Sequence, residues 1–433
     1  MNGDSTREEV VFVDGCRLPF RRTGSDYAAL TGYDLARSVI AGMLVRSGVR
    51  GEEIDGVVLG SVVQNAQTSN VARDAALGAG LPNQVPAYTV TMACISANRA
   101  VADAALQLGS GRAGLMIAGG VESLSDVPVG LGKEARKRLL DMRRAKSARD
   151  YLGLLRGLKP ADLLPRPPAI AEYSTGETMG ESADRLAAAF GVTREEQDAY
   201  ALRSHRAAAQ ATRDGKLSAE MVLTAVPPKF RAIEVDNTFR EDSSIEKLAK
   251  LPPVFVKPYG TVTAGNSSPL TDGAAVTLLA SRARAQELGL RPRAAIRDWI
   301  FVAQDPGSEL LLGPAFAVPR LLERTGLAWS DLDVIEIHEA FAGQVLAVLT
   351  ALGSDSFAQE RLGRSKRVAE VDLDRINPWG GSLSLGHPFG ATGARLVTTA
   401  VNRLFAEDGR FALVTACAAG GLGHAMLLER LEA

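Results

Sequence analysis

LARSVIAGMLVRSGVRGEEIDGVVLG (35–60) and FAVPRLLERTGLAWSDLDVIEIHEAF (316–341) repeat one another element by element, at an offset of about 280 residues. Each begins with apolar residues at helical spacing and stops at a glycine, Gly48 or Gly326. Each then turns and closes on a short β-rich run, with the pairs Ile54-Asp55 and Leu332-Asp333 aligned. Two copies of one helix–turn–strand unit predict two similar α/β halves packed together, since the repeat is too long for a solenoid.

The flanking sequence extends both copies. VVFVDGC (10–16), IDGVVLGSVV (54–63), VPAYTVTMAC (85–94) and GLMIAGGVES (114–123) read as strands, with helices at 33–48 and from about Ile95 to Leu108. This alternation implies a layered α/β domain. The helix near His387 leads into FALVTACAAGG (411–421), as the helix after Cys94 leads into GLMIAGG. FALVTACAAGGLGHAMLL (411–428) is long enough to raise the question of a membrane span. Its central glycines and Thr415 and His424 favour two buried strands joined by a turn. The start, MNGDSTREEVVFVDG, lacks the basic and apolar regions of a signal peptide.

The chain has 433 residues, 46% hydrophobic and 23% charged, with net charge −1. That is ordinary globular composition, with no global attraction to nucleic acid. Three cysteines (Cys16, Cys94, Cys417) without CxxC spacing argue against structural zinc and for a reducing, cytoplasmic setting.

Between the halves, 124–265 is rich in Pro, Arg and Lys. From Lys133 to Lys159 ten basic residues stand against three acidic ones, a net +7, so the rest of the chain carries −8. Leu131, Ala135, Leu139, Met142, Ala145, Leu152 and Leu155 fall near helical spacing, predicting a basic amphipathic helix. It reads equally as a solvated face, a funnel for phosphates, or a surface for a partner or membrane over 131–159.

Cys94 stands where an apolar strand hands over to a helix, whose N-terminal N–H groups and dipole favour a thiolate. His387 lies in GGSLSLGHPFGATGAR (380–395), where glycines and Pro388 define the backbone around one imidazole. His338 ends the strand VIEI. Cys417 ends the strand ALVTA against a glycine turn. By the duplication, all four sit at ends of equivalent units, and such ends converge on one face of an α/β sheet. His205, in the polar helix ALRSHRAAAQA, reads as a surface residue, and His424 as structural.

These stretches resemble the thiolases, most closely the trifunctional-enzyme β-subunit class of 3-ketoacyl-CoA thiolases. The likeness runs through TMACISAN, AGGVESLSDVP, STGETMGESADRLAAAFGVTREEQDAYALRSH, KPYGTVTAGNSSPLTDGAA, LLLGPAFAVPRLLE, IHEAFAGQ, WGGSLSLGHPFGATGARLV and ACAAGGLGHAM, nearly the whole chain. The resemblance implies an αβαβα body of five layers, each half carrying a five-stranded sheet. It places 1–123 with 266–291 in one half, 124–265 in a loop domain, and 292–433 in the other half. It implies that Cys94 is the acyl-accepting nucleophile, His387 its base and Cys417 the acid/base for the α-proton of acetyl-CoA. His338 would stabilise the enolate oxygen with His387. Most thiolases have Asn there, and HEAF marks the trifunctional class. Backbone N–H groups of Cys94 and Ala419 would form a second oxyanion hole, with Ala419 where many thiolases have glycine. Ser268 and Met179 would line the pantetheine channel. The implied activity is CoA-dependent cleavage of 3-ketoacyl-CoA in fatty-acid β-oxidation, with CoA as co-substrate and no permanent cofactor or metal. A homodimer or larger oligomer and a hydratase/dehydrogenase partner subunit are also implied.

Claisen cleavage expels a carbanion beside a thioester. It needs a soft nucleophile, an oxyanion site and a proton donor, which two cysteines and two histidines supply. Two further readings are an acetyltransferase run in the condensing direction to acetoacetyl-CoA, and a non-catalytic scaffold. GSGRAG (109–114) fits a dinucleotide fingerprint but precedes a strand instead of following one. GxSxG is absent, against a hydrolase. Cys417 argues against a ketoacyl synthase.

Overall fold

The computed structural model describes residues 8–169 and 171–432, without the side chain of Leu155; part of the opening stretch read above lies outside them. The strands are β1 (Val10–Arg17), β2 (Arg21–Arg22), β3 (Gly56–Gly60), β4 (Ala87–Val90), β5 (Leu115–Glu122), β6 (Thr224–Val226), β7 (Arg231–Ile233), β8 (Thr271–Ser281), β9 (Ala294–Ala303), β10 (Val334–Ile337), β11 (Phe411–Ala418) and β12 (Leu422–Arg430). The helices of the two halves are α1 (Gly32–Ser47), α2 (Val71–Gly78) and α3 (Ser96–Gly109) in the first. Residues 124–265 hold α4 (Lys133–Asp141), α5 (Ala148–Leu155), α6 (Met179–Ala189), α7 (Arg194–Arg213) and α8 (Ile245–Ala249). Then follow α9 (Arg282–Glu287), α10 (Pro306–Glu309), α11 (Gly313–Thr325), α12 (Ala342–Leu352), α13 (Asp355–Leu362), α14 (Ser382–Leu385) and α15 (Thr392–Ala406).

The repeated unit folds twice in the same way. α1 starts on a capping box of Thr31 and Asp34 and ends at Gly48, whose φ is 69°. α11 ends at Gly326 with φ 71°. Only glycine takes that left-handed cap at little cost. Each helix is followed by a single 3-10 turn and a strand, β3 or β10. The paired aspartates do one job in both halves. Asp55 accepts the N–H groups of Gly114 and Leu115 at the start of β5, and Asp333 those of Arg410 and Phe411 at the start of β11.

Nine strands run in the order β4-β3-β5-β8-β1-β9-β12-β11-β10, so the two halves share one sheet. The join is a short antiparallel ladder, Val11 with Ala295 and Phe12 with Ala294. The first half has its five strands. The second has four, because the expected fifth is a single bridge between Ile335 and Ile376. The next residue, Asn377, turns to φ 47° before Pro378. Its side-chain amide bonds both the N–H and the C=O of Ile337, standing in for the missing ladder.

Five layers result. α3 and α15 lie in the middle, sharing one buried cluster with Phe12, Val58, Met116, Val334, Val414 and Met426 from the two halves of the sheet. The other face of the first half packs on α1 and α2. The other face of the second half packs on α11 and α12, which α6 and α7 cover in turn. Removing a core leucine from such a layer costs about 2–5 kcal/mol.

The expected single basic helix is two. α4 ends in a 3-10 turn at 142–144, and Ala145 is extended. Ser147 and Asp150 then form a capping box that starts α5. That box is a local start signal that the apolar spacing alone does not show. Leu139, Leu140, Met142, Tyr151 and Leu152 are exposed on the pair. Among the described residues no helix is long and apolar enough to cross a membrane.

Candidate active site

Cys94 lies between β4 and α3, one residue before the helix N-cap Ile95. Ala93 before it adopts φ 47°, a strained turn for a residue with a side chain. The turn keeps Cys94 partly open to solvent, whereas Cys417, at the end of β11, is buried. The N–H groups of Ala419 and of Cys94 itself bond toward the Cys94 thiol, easing its ionisation, but burial prevails and pushes it up to about 11. The Cys417 thiol is also pushed up, by burial first and then by Cys94 as its ionisable neighbour.

His387 enters from the other half. Its N–H donates to the carbonyl of Pro269, 3.1 Å away. The loop it begins passes close to the first half. A Cβ on Gly120 would lie 1.9 Å from the carbonyl oxygen of Gly390, so only glycine fits. His387 Nδ1 lies 2.7 Å from Thr392 Oγ1, which donates to the carbonyl of Pro388. Because the threonine proton has this second acceptor, Nδ1 is free to carry the ring proton, the tautomer that leaves Nε2 its lone pair. Nε2 is buried with no partner among the described residues.

His338 follows β10 and is wholly buried, its N–H bonded to the carbonyl of Thr415. Its Nδ1 lies 2.9 Å from Ser382 Oγ, and its Nε2 also has no partner. Cys94, His338 and His387 each bring a thiol or imidazole atom within 4.8 Å of the others. Among the described residues this is the one trio close enough for a metal ion, but its nucleophile beside an unpartnered imidazole nitrogen is equally a thiol–base pair. Both imidazoles are held neutral: burial first, then the Arg395 guanidinium, lowers His387 to about 3. Burial, His387 and Arg395 hold His338 well below the usual histidine range.

Of the two channel candidates, Ser268 is tied by a hydrogen bond to the segment that carries His338. The Ser268 N–H donates to the carbonyl of Ala340, two residues past His338. Met179, first in α6, packs against the large core of the second half. A cavity of about 770 Å³ opens elsewhere on α6 among Glu181, Asp184, Arg185 and Tyr259, with neither cysteine nor imidazole in its lining.

Several supporting residues escaped the sequence reading. Glu339 is buried and accepts from Tyr200, Ser204, Asn377 and the N–H of Leu383, fixing the loop after His338. Glu122, ending β5, accepts the N–H groups of Val62, Val63 and Gly390, tying the His387 loop to the first half. Burial pushes its carboxyl up to about 7 against those donors. Arg395 and Arg403 flank the buried Glu336 at 3.5 and 2.8 Å. The signal available was Glu339 beside His338 and Glu122 after a glycine pair. His205 needs correction: it is only 6% exposed, inside α7, with Nδ1 accepting the N–H of Arg240. The helix is polar in composition because its hidden face is built from alanines and hydrogen-bonded polar groups. His424 is buried in β12 with its ring 4.8 Å from that of Phe301.

Comparison with known proteins places the whole chain in a family. Residues 10–283 match the family described as "Thiolase, N-terminal domain" and 290–430 match "Thiolase, C-terminal domain". The chain is 51% identical to the rat protein named trifunctional enzyme subunit beta, mitochondrial, over 98% of this chain and 88% of that one. It is 45% identical to the 3-ketoacyl-CoA thiolase of Yersinia enterocolitica, over 98% and 97%. The crystal structure of the Bacillus anthracis acetyl-CoA acetyltransferase superposes with a TM-score of 0.86 at 32% identity, covering 99% of this chain and all of that one. Both halves of the chain are thus matched by one family, over nearly their whole length: the chain belongs to the thiolase family.

Proposed function

We propose that the protein is a 3-ketoacyl-CoA thiolase of fatty-acid β-oxidation, splitting 3-ketoacyl-CoA and CoA into acyl-CoA and acetyl-CoA. The observation that carries this is the Cys94 thiol beside two buried imidazoles whose Nε2 atoms have no partner among the described residues. His387 Nε2 takes the thiol proton as Sγ attacks the C3 carbonyl. The C2–C3 bond then breaks, and its electrons become the enolate of acetyl-CoA. His338 and His387 donate to the enolate oxygen while Cys417 gives a proton to C2. The Cys417 thiolate next takes the proton of the incoming CoA thiol, which attacks the acyl thioester on Cys94; the acyl–Sγ bond breaks, and the departing Cys94 thiolate recovers its proton from His387. The oxyanion formed in this attack faces the N–H groups of Cys94 and Ala419, each such donor supplying roughly 3 kcal/mol. Ser268 and Met179 line the channel along which the pantetheine arm arrives. No permanent cofactor or metal is needed for these steps.

The relatives' names favour thiolysis over condensation. Loss of 3-ketoacyl-CoA absorbance on adding CoA, over a series of chain lengths, is the test. No CoA-dependent loss at any length would return the chain to a scaffold role. We also propose the three-part division at 123, 265 and 291, a homodimer at least, and a cytoplasmic setting. The basic pair α4–α5 is read as a docking face, either for a hydratase/dehydrogenase subunit or for an anionic membrane surface.

A further inference from the structure

Ser382 Oγ stands between two fixed neighbours. Arg395 Nη2, which can only donate, lies 3.1 Å away, so the serine oxygen accepts from it. His338 Nδ1 lies 2.9 Å away and is the one acceptor within hydrogen-bond reach of the serine proton among the described residues. All three side chains are wholly buried. Were Nδ1 protonated, it would donate to the serine and leave the hydroxyl proton buried without an acceptor. With Nδ1 bare, both contacts of Ser382 are made. The second arrangement has one more hydrogen bond, and a buried polar group left unpaired is the costlier state. The ring of His387 is not constrained in this way, because the proton of Thr392 has a second acceptor in the carbonyl of Pro388.

We infer that Ser382, held by Arg395, is a positioning residue that fixes His338 in the tautomer carrying its proton on Nε2. The two facing histidines then present one donor and one acceptor to the space beside Cys94. An Nε2–H on His338 is ready to meet a developing enolate oxygen without any proton moving first. Arg395 sits in turn against Glu336, which Arg403 also holds, so the serine's orientation is anchored two bonds deep. The tautomer follows from the contacts alone, whereas its kinetic consequence rests on the thiolase reading.

The chain has four histidines, so the imidazole nitrogens of 15N-histidine-labelled protein can be resolved individually. His338→Asn identifies the His338 signals by their loss. Protonated Nε2 and bare Nδ1 on His338 in the unaltered protein is the expected result, and protonated Nδ1 overturns the inference, whether or not the protein turns over substrate. Kinetically, Ser382→Ala is expected to slow deuterium exchange at the α-carbon of acetyl-CoA about 10- to 100-fold, with KM for CoA unchanged. In a His338→Asn background, where no tautomer exists to be fixed, the same change is expected to add nothing. An equal loss in both backgrounds means that Ser382 acts through packing and overturns the inference. If Ser382→Ala fails to fold, the spectrum of the unaltered protein still decides.

Discussion

His338 and His387 face each other with ring centroids 4.1 Å apart and an interplanar angle of 46°. A proton placed on either would sit beside the other ring and near Arg395, which is why burial and that guanidinium keep both neutral. The pair therefore has room for a single extra proton, the one that leaves Cys94 during attack.

That arrangement has a pH signature. With His387 at about 3 and Cys94 at about 11, the resting pair is thiol and neutral imidazole throughout the range between. Alkylation of Cys94 by iodoacetamide is expected to accelerate about tenfold per pH unit through neutrality, since only the thiolate reacts. A plateau from acid to neutral pH would reveal a preformed thiolate–imidazolium pair instead.

Cys94→Ala is expected to abolish acyl transfer. Mass spectrometry of the unaltered protein mixed with acyl-CoA should place the adduct on Cys94. An adduct elsewhere, with Cys94 free, removes it as the nucleophile.

Cys417→Ser should separate the two halves of the reaction. Acyl transfer to Cys94 is expected to survive in part, while α-proton exchange of acetyl-CoA stops, because only the enolate step needs a second acid/base. Exchange at the unaltered rate would assign that role to another group.

Arg17 offers a stability test remote from the chemistry. It is wholly buried and bonds Glu220 and Asp236, each at 2.7 Å, binding β1 to the segment between the halves. Arg17→Met keeps much of the volume and strands two buried carboxylates, so urea unfolding should show a loss of about 3–5 kcal/mol. A loss below about 1 kcal/mol would mean that water reaches the pair.

Much of this was open to reading in the sequence. The duplicated unit was legible because its signals are local: helical spacing, a stopping glycine and an aspartate before each strand. The meeting of Cys94, His338 and His387 followed from placing each at an equivalent end. What escaped depends on tertiary contacts. Asn377 replaces a strand with one side-chain amide, and nothing in INPWGG announces that. His205 looked solvent-facing because the partner of its Nδ1, the N–H of Arg240, lies 35 residues away. Ser382 is a small residue in a glycine-rich loop until His338 and Arg395 are seen on either side.

The basic pair α4–α5 can be tested by replacing Arg136, Lys137, Arg143 and Arg144 with Ser. Turnover on short-chain substrate is expected to hold, while binding to anionic vesicles or to a partner subunit is lost. That binding should also weaken with salt, as the Debye length falls from about 10 Å at 0.1 M to about 3 Å at 1 M. A collapse of turnover in a folded variant would instead assign the segment to CoA.

The place of β8 between β1 and β5 has a consequence for synthesis. Both neighbours leave the ribosome early, yet the strand that joins them ends at Ser281, about 160 residues after β5 ends. At about 5–20 residues per second, the nascent chain carries those unmatched apolar edges for roughly 8–30 s. Open edges of that kind invite pairing with other chains. Keeping the growing polypeptide apart from other chains through that interval prevents such pairing.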